Sequence, residues 1–169
     1  MAEENNPQEA ETNQAPKTAS FALQRVYLKD LSFESPAGIA SLQKQWQPKI
    51  EQDINTSANK VGEQTYEVVL KITVNAIVEG KTAFLVEVQQ AGLFQISIEG
   101  PQLAQIFNTL CAQTLFPYAR EAVDNVIVKG GFPALNMPAI NFDALFAQAI
   151  REARSNAEAK SADAPANAE

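Results

Sequence analysis

The stretch from Tyr66 to Gln90 constrains the fold more than any other part of the chain. Tyr66, Val68, Leu70, Ile72, Val74, Ala76 and Val78 recur at every second position, with Glu67, Lys71, Thr73 and Asn75 between them. A period of two sends alternate side chains to opposite faces, so this run reads as a strand with one covered face. Glu79-Gly80-Lys81 supplies a short turn in which the glycine can adopt positive φ. Thr82 to Gln90 then returns, with Phe84, Val86 and Val88 opposing Leu85, Glu87 and Gln89. The pair predicts an antiparallel hairpin. A hairpin alone is marginal in water, so the fold needs more strands.

Two other runs provide them. Phe21 to Glu34 alternates throughout, which assigns Phe21, Leu23, Arg25, Tyr27, Lys29, Leu31 and Phe33 to one face. The other face receives Ala22, Gln24, Val26, Leu28, Asp30, Ser32 and Glu34. Ser35-Pro36-Ala37-Gly38 breaks the run, and a connection through Leu42 and Trp46 leads to renewed alternation from Pro48 to Thr56. The strand signal fades over Ala91 to Ile98.

After Gly100 the period changes. Pro101 suits a first helical position, and Leu103, Ile106, Phe107 and Leu110 follow helical spacing. Pro117 is expected to interrupt or restart this helix, because it removes a hydrogen bond and crowds the preceding turn. Gly130-Gly131 forms a stop. Phe132 to Ile140, with Pro133 and Pro138, reads as a packed loop, and Asn141 as the cap of a last helix. Strands followed by helices predict an α+β fold: a four-stranded antiparallel sheet with C-terminal helices on one face. Residues 1–20 read as a disordered acidic tail, 21–150 as the folded domain, and 151–169 as a helix end with a disordered tail. The start of the chain lacks the basic-then-apolar order of a secretory signal.

Composition narrows the chemistry. With no histidine, Ser-His-Asp triads, Cys-His dyads and His-ligated zinc are excluded, and Cys111 alone makes neither an intrachain disulfide nor a thiolate cluster. Twenty acidic against 13 basic side chains give a formal charge of −7, the wrong sign for a general nucleic-acid binder. Asp30 and Glu34 share a strand face, but four residues at ~3.3 Å each separate them by about 13 Å. Paired glycosidase carboxylates need roughly 5 to 9.5 Å. A solvated face or an acidic docking stripe, with Glu87 added from another strand, fits better. Cys111 reads as a buried small hydrophobe. Trp46, flanked by Gln45 and Gln47, is either a core anchor or, with Tyr27 and Phe33, the border of an apolar groove.

Several segments together resemble the SecB family of protein-export chaperones. They are YLKDLSFESP (27–36), KQWQPKI (44–50), YEVVLKITV (66–74), TAFLVEVQQAGLF (82–94), LFPYARE (115–121) and FPALNMPAINFDALF (132–146). Val86 stands where some members carry cysteine, and Ala91 where some have a second glycine. The resemblance implies an ATP-independent cytoplasmic holding chaperone, a homotetramer built as a dimer of dimers. Such a protein keeps precursors unfolded and hands them to the translocation ATPase SecA. It implies SecA contacts at Asp30, Glu34, Leu85 and Glu87, with a further contact around Leu145 and Ile150. Val86, Val88 and Gln90 match positions that affect assembly. The zinc of this system belongs to SecA, so no metal or cofactor is expected here, nor nucleic acid or membrane insertion. The alternatives are a small enzyme using carboxylate or tyrosine chemistry and a structural self-assembling subunit without clients.

Overall fold

The computed structural model describes residues 20–162, so the proposed N-terminal tail lies outside the described residues except for Ser20, and the proposed C-terminal segment lies outside them only after Ala162. Strands β1 (Phe21–Glu34), β2 (Lys49–Lys60), β3 (Thr65–Val78) and β4 (Lys81–Ile96) form one antiparallel sheet in the order β1-β4-β3-β2. A short helix α1 (Ile39–Leu42) lies in the connection between β1 and β2. Helix α2 (Gln102–Ile106) runs through a π-helical turn (Phe107–Cys111) into α3 (Ala112–Lys129), and α4 (Phe142–Ala162) follows the loop. The α+β arrangement anticipated from the sequence is present.

The β3–β4 turn has Glu79 at φ 50° and Gly80 at φ 76°. Two successive positive φ values match the type I′ turn, whose twist suits a hairpin. Register then places Ile72 opposite Val88, Val74 opposite Val86 and Ala76 opposite Phe84. These side chains are fully buried and pack beneath Leu115, Ala119, Val123 and Ile127 of α3. Burial of this double layer drives the fold.

β1 departs from simple alternation. Its register with β4 slips between Leu23 and Arg25 and again between Leu28 and Asp30. Each slip leaves one extra residue (Gln24, then Lys29) and reverses the faces beyond it. The helix side therefore holds Phe21, Leu23, Val26, Leu28, Leu31 and Phe33, and the open side Ala22, Arg25, Tyr27, Asp30, Ser32 and Glu34. The face assignments for Leu28, Val26, Arg25 and Tyr27 made from alternation alone are corrected accordingly.

Three other elements differ from expectation. β4 continues to Ile96; Ala91 and Gly92 are both buried, so this stretch of the strand carries no polar–apolar alternation. Ala91 stands between Tyr27 and Val69, and an added Cβ on Gly92 would lie 2.6 Å from Phe94 Cε2 and 2.8 Å from Leu115 Cδ2. β2 extends to Lys60, which pairs with Tyr66. Pro117 sits inside a continuous α3. Pro117 and Gln113 are both exposed, so the carbonyl deprived of its amide partner can face water.

The loop after α3 is packed as expected. Phe132 and Met137 are buried; Asp124 Oδ1 accepts the Leu135 N–H at 2.9 Å and the Asn136 N–H at 3.1 Å. Asn141 Oδ1 accepts the Ala144 N–H at 2.9 Å and caps α4. Gly130 is required by close approach, since a Cβ there would fall on the Phe33 ring.

Candidate functional site

The uncovered face of the sheet collects the acidic residues. Across β1 and β4, Asp30 lies opposite Gln89, Ser32 opposite Glu87 and Glu34 opposite Leu85. Asp30, Glu34, Leu85 and Glu87, widely separated in sequence, thus occupy three neighbouring rungs on one side. Asp53 of β2 extends the row through Thr73, which sits opposite Glu87. Among the described residues, neither Asp30 nor Glu34 enters an ion pair. Glu87 does: Lys71 Nζ stands 2.9 Å from its Oε1, and the Thr73 hydroxyl donates to the same oxygen at 3.4 Å. The Lys71 ammonium, more than any other group, holds the Glu87 carboxyl below its ordinary range.

The other end of this face is a different cluster. Lys29, raised by the bulge, donates to Glu67 Oε2 at 2.8 Å, and the Tyr27 hydroxyl donates to Glu67 Oε1. The Lys29 bond first, then the Tyr27 bond, lower the Glu67 pKa, while the bond to Glu67 raises that of Tyr27. A carboxylate with a depressed folded pKa stabilises above its unfolded value and loses that contribution as pH falls through the folded one. Wild-type stability is therefore expected to decline below about pH 4.5 in part through Glu67. Glu67→Gln should lack this component; urea unfolding of both proteins at pH 7 and pH 3 measures it, and parallel declines would remove Glu67 from the account.

Trp46 and Phe33 stand on the helix side, away from Tyr27. The Trp46 ring is stacked on Phe84 with centroids 5.9 Å apart and meets Phe132 at 5.3 Å. Phe33 meets the same two rings at 6.1 and 6.4 Å. Tyr27 is on the opposite face of the sheet, so the three aromatics do not line one channel. A cleft of about 510 Å³ opens beside this cluster instead, lined by Ala37, Ala40, Ser41, Val78 and Ala83, with Lys44 and Lys81 among its walls. On the same short helix as Ala40 and Ser41, Ile39 is 69 % exposed and Leu42 44 %. The sequence signal for Ile39 is an apolar residue directly after the Pro36–Gly38 break.

Val86 and Val88 are fully buried and Gln90 nearly so, on the helix-covered side of the sheet. Leu145 and Ile150 lie on the exposed side of α4. Cys111 is buried, which pushes its thiol up to about 12 and leaves it unreactive. No described helix is long and apolar enough to cross a membrane.

Comparison with known proteins is consistent with this layout. The family model described as preprotein translocase subunit SecB matches residues 12–153. The protein-export protein SecB of Cellvibrio japonicus is 51% identical over 163 residues, covering 96% of each chain. That of Marinobacter nauticus is 51% identical over 151 residues, covering 89% of this chain and 92% of its own. Among solved structures, a SecB-like chaperone of Mycobacterium tuberculosis, in complex with a peptide from an antitoxin, superposes with a TM-score of 0.56 at 13% identity. That match covers 72% of this chain and 88% of the other, and speaks to the fold alone. A family match over most of the chain, together with relatives identical at half their positions, establishes that the chain belongs to the SecB family.

Proposed function

We propose that this protein is an ATP-independent cytoplasmic export chaperone that holds precursors unfolded and delivers them to SecA. The observation that carries the reading is the division of labour between the two sides of the sheet. One side presents Asp30, Glu34 and Glu87 around Leu85, a rim suited to a basic partner segment; the other presents apolar surface around the α1 connection. Burial is non-directional, so the exposed Ile39 and Leu42 of α1 and the cleft lined by Ala37, Ala40 and Ala83 can grip extended segments of many sequences. The peptide bound to the mycobacterial SecB-like chaperone is in keeping with this use of the fold.

The working unit is a homotetramer, a dimer of dimers. β1 is an edge strand, and its helix-side residues Leu23, Leu28 and Leu31 are 36 to 49 % exposed in the protomer. Leu110, Tyr118 and Val128 add exposed apolar surface along the helices. An unpaired edge with an apolar flank invites another copy. Val86, Val88 and Gln90 act on this assembly from beneath, through the packing that sets the position of β1 and α3.

The test combines mass and client. Native mass measurement is expected to give a tetramer that acquires an unfolded precursor and suppresses its aggregation stoichiometrically, without nucleotide. Leu28→Asp with Leu31→Asp should leave a smaller species with an intact circular dichroism spectrum. A tetramer without client binding would favour the structural-subunit reading; turnover of a small substrate would favour an enzyme.

A further inference from the structure

The four acidic-face positions are not equivalent. Asp30 and Glu34 carry no ion-pair partner among the described residues, whereas Glu87 already has a cation on it. Lys71 and Glu87 are adjacent in diagonal register on β3 and β4, with Thr73, directly opposite Glu87, donating to the same carboxylate oxygen. Both side chains remain accessible, 40 % for Lys71 and 35 % for Glu87, so the pair can exchange partners without unfolding anything. Lys71 is also in the row of Asp30, but Gln89 lies between them. Two strand spacings, about 10 Å, prevent it from serving both carboxylates at once. The result is a free acidic edge on β1 beside a self-neutralised carboxylate on β4.

We propose that Lys71 is an internal competitor at the docking face: its ammonium occupies Glu87 in the free protein and gives way when a lysine- or arginine-bearing segment of SecA arrives. The proposal rests on the docking reading above and deepens it by naming a residue that sets specificity. Asp30 and Glu34 make first contact, since their charge is uncompensated, and the incoming cation then exchanges with Lys71 at Glu87. A segment with a single positive charge satisfies only the β1 edge. One with charges spaced across two strands displaces Lys71 and gains Glu87 as well. Lys71 thereby disfavours sparsely charged chains, including basic stretches of clients, that would otherwise settle on the acidic face.

Lys71 is a positioning residue, and its effect must run through Glu87. Removing its charge has two consequences: the whole face becomes more negative, and Glu87 is released from its pair. The first acts over a Debye length and fades with salt; the second is a contact effect and fades less. A double-mutant cycle separates them.

SecA affinity should be measured for the full chain carrying Lys71→Gln, Glu87→Gln, both, or Lys71→Arg, at 0.05 M and 0.3 M salt. Lys71→Gln is expected to tighten SecA binding about twofold to fivefold, the range an exposed ion pair supports. In the Glu87→Gln background the same substitution should give less than half that gain, and the difference should survive the higher salt. Lys71→Arg should bind like the wild type, and thermal melting should be unchanged in all four. An equal gain in both backgrounds would assign Lys71 only a bulk charge effect and overturn the proposal, as would no gain at all. If Glu87→Gln and Asp30→Asn each bind SecA as the wild type does, the docking reading itself fails and this proposal with it.

Discussion

Replacing Asp30 and Glu87 together, by Asp30→Lys and Glu87→Lys, is expected to weaken SecA binding about a hundredfold at low salt, equivalent to about 2.7 kcal/mol. The two residues project from neighbouring strands onto the same uncovered face, two rungs of the β1–β4 ladder including them both. Neither contributes to the buried layer, so the exchange leaves Phe84, Val86 and Val88 untouched. Reversal changes an attractive rim into a repulsive one, and juxtaposed like charges cost more than lost attractive ones recover. The loss should lie mainly in the association rate and should shrink as salt rises. Glu87→Lys also places a cation beside Lys71, so Glu87→Gln is the control that removes the charge without that new repulsion. Client binding and native mass should be retained, because the apolar surface near Ile39 is on the other side of the sheet. A double reversal that binds SecA normally at 0.05 M salt would remove these residues from the docking surface.

How far such a face can be read from the sequence depends on the strand concerned. β3 and the first half of β4 were fully legible, since seven successive apolar positions fix which side is covered. Alternation alone therefore assigns Leu85 and Glu87 to the open face. β1 is legible as a strand, but its faces are not. Two bulges, at Gln24 and Lys29, each shift the period by one, and nothing in the composition of Phe21–Glu34 marks them, for neither is glycine. The consequence is specific: Tyr27 moves from the side of Phe33 to the side of Asp30, where it bonds Glu67. Beyond Gln90 the opposite problem arises. Ala91 and Gly92 are both buried, so a strand that is entirely present gives no alternation to detect. The pairing of Lys71 with Glu87 is beyond sequence reach for a third reason, because it depends on register between strands and not on spacing within one.

Trp46→Ala is expected to lower the unfolding free energy by about 3 kcal/mol, the cost of deleting a large aromatic from packed surroundings. The ring is held by two others, Phe84 and Phe132, and Phe84 is itself fully buried between sheet and helices. Deletion leaves Phe84 without its outer neighbour and opens a void that Gly130 and Phe33, already in close approach, cannot close without moving α3. The loop that carries Trp46 should lose order along with the ring. Ile39→Ser provides the contrast. Ile39 is 69 % exposed, so its replacement should change stability by less than about 0.5 kcal/mol, as surface substitutions do. It should nevertheless weaken the binding of an unfolded client, because it removes exposed apolar area from α1, the short helix whose Ala40 lines the cleft. The two variants thus separate support from contact. Urea unfolding of both, with client affinity measured on the fraction that remains folded, decides the matter. If Trp46→Ala unfolds at the same urea concentration as the wild type, the ring is a free flap and the client meets it directly. If Ile39→Ser binds clients unchanged, the grip lies elsewhere on the helix side, and the exposed β1 row of Leu23, Leu28 and Leu31 is the next surface to alter.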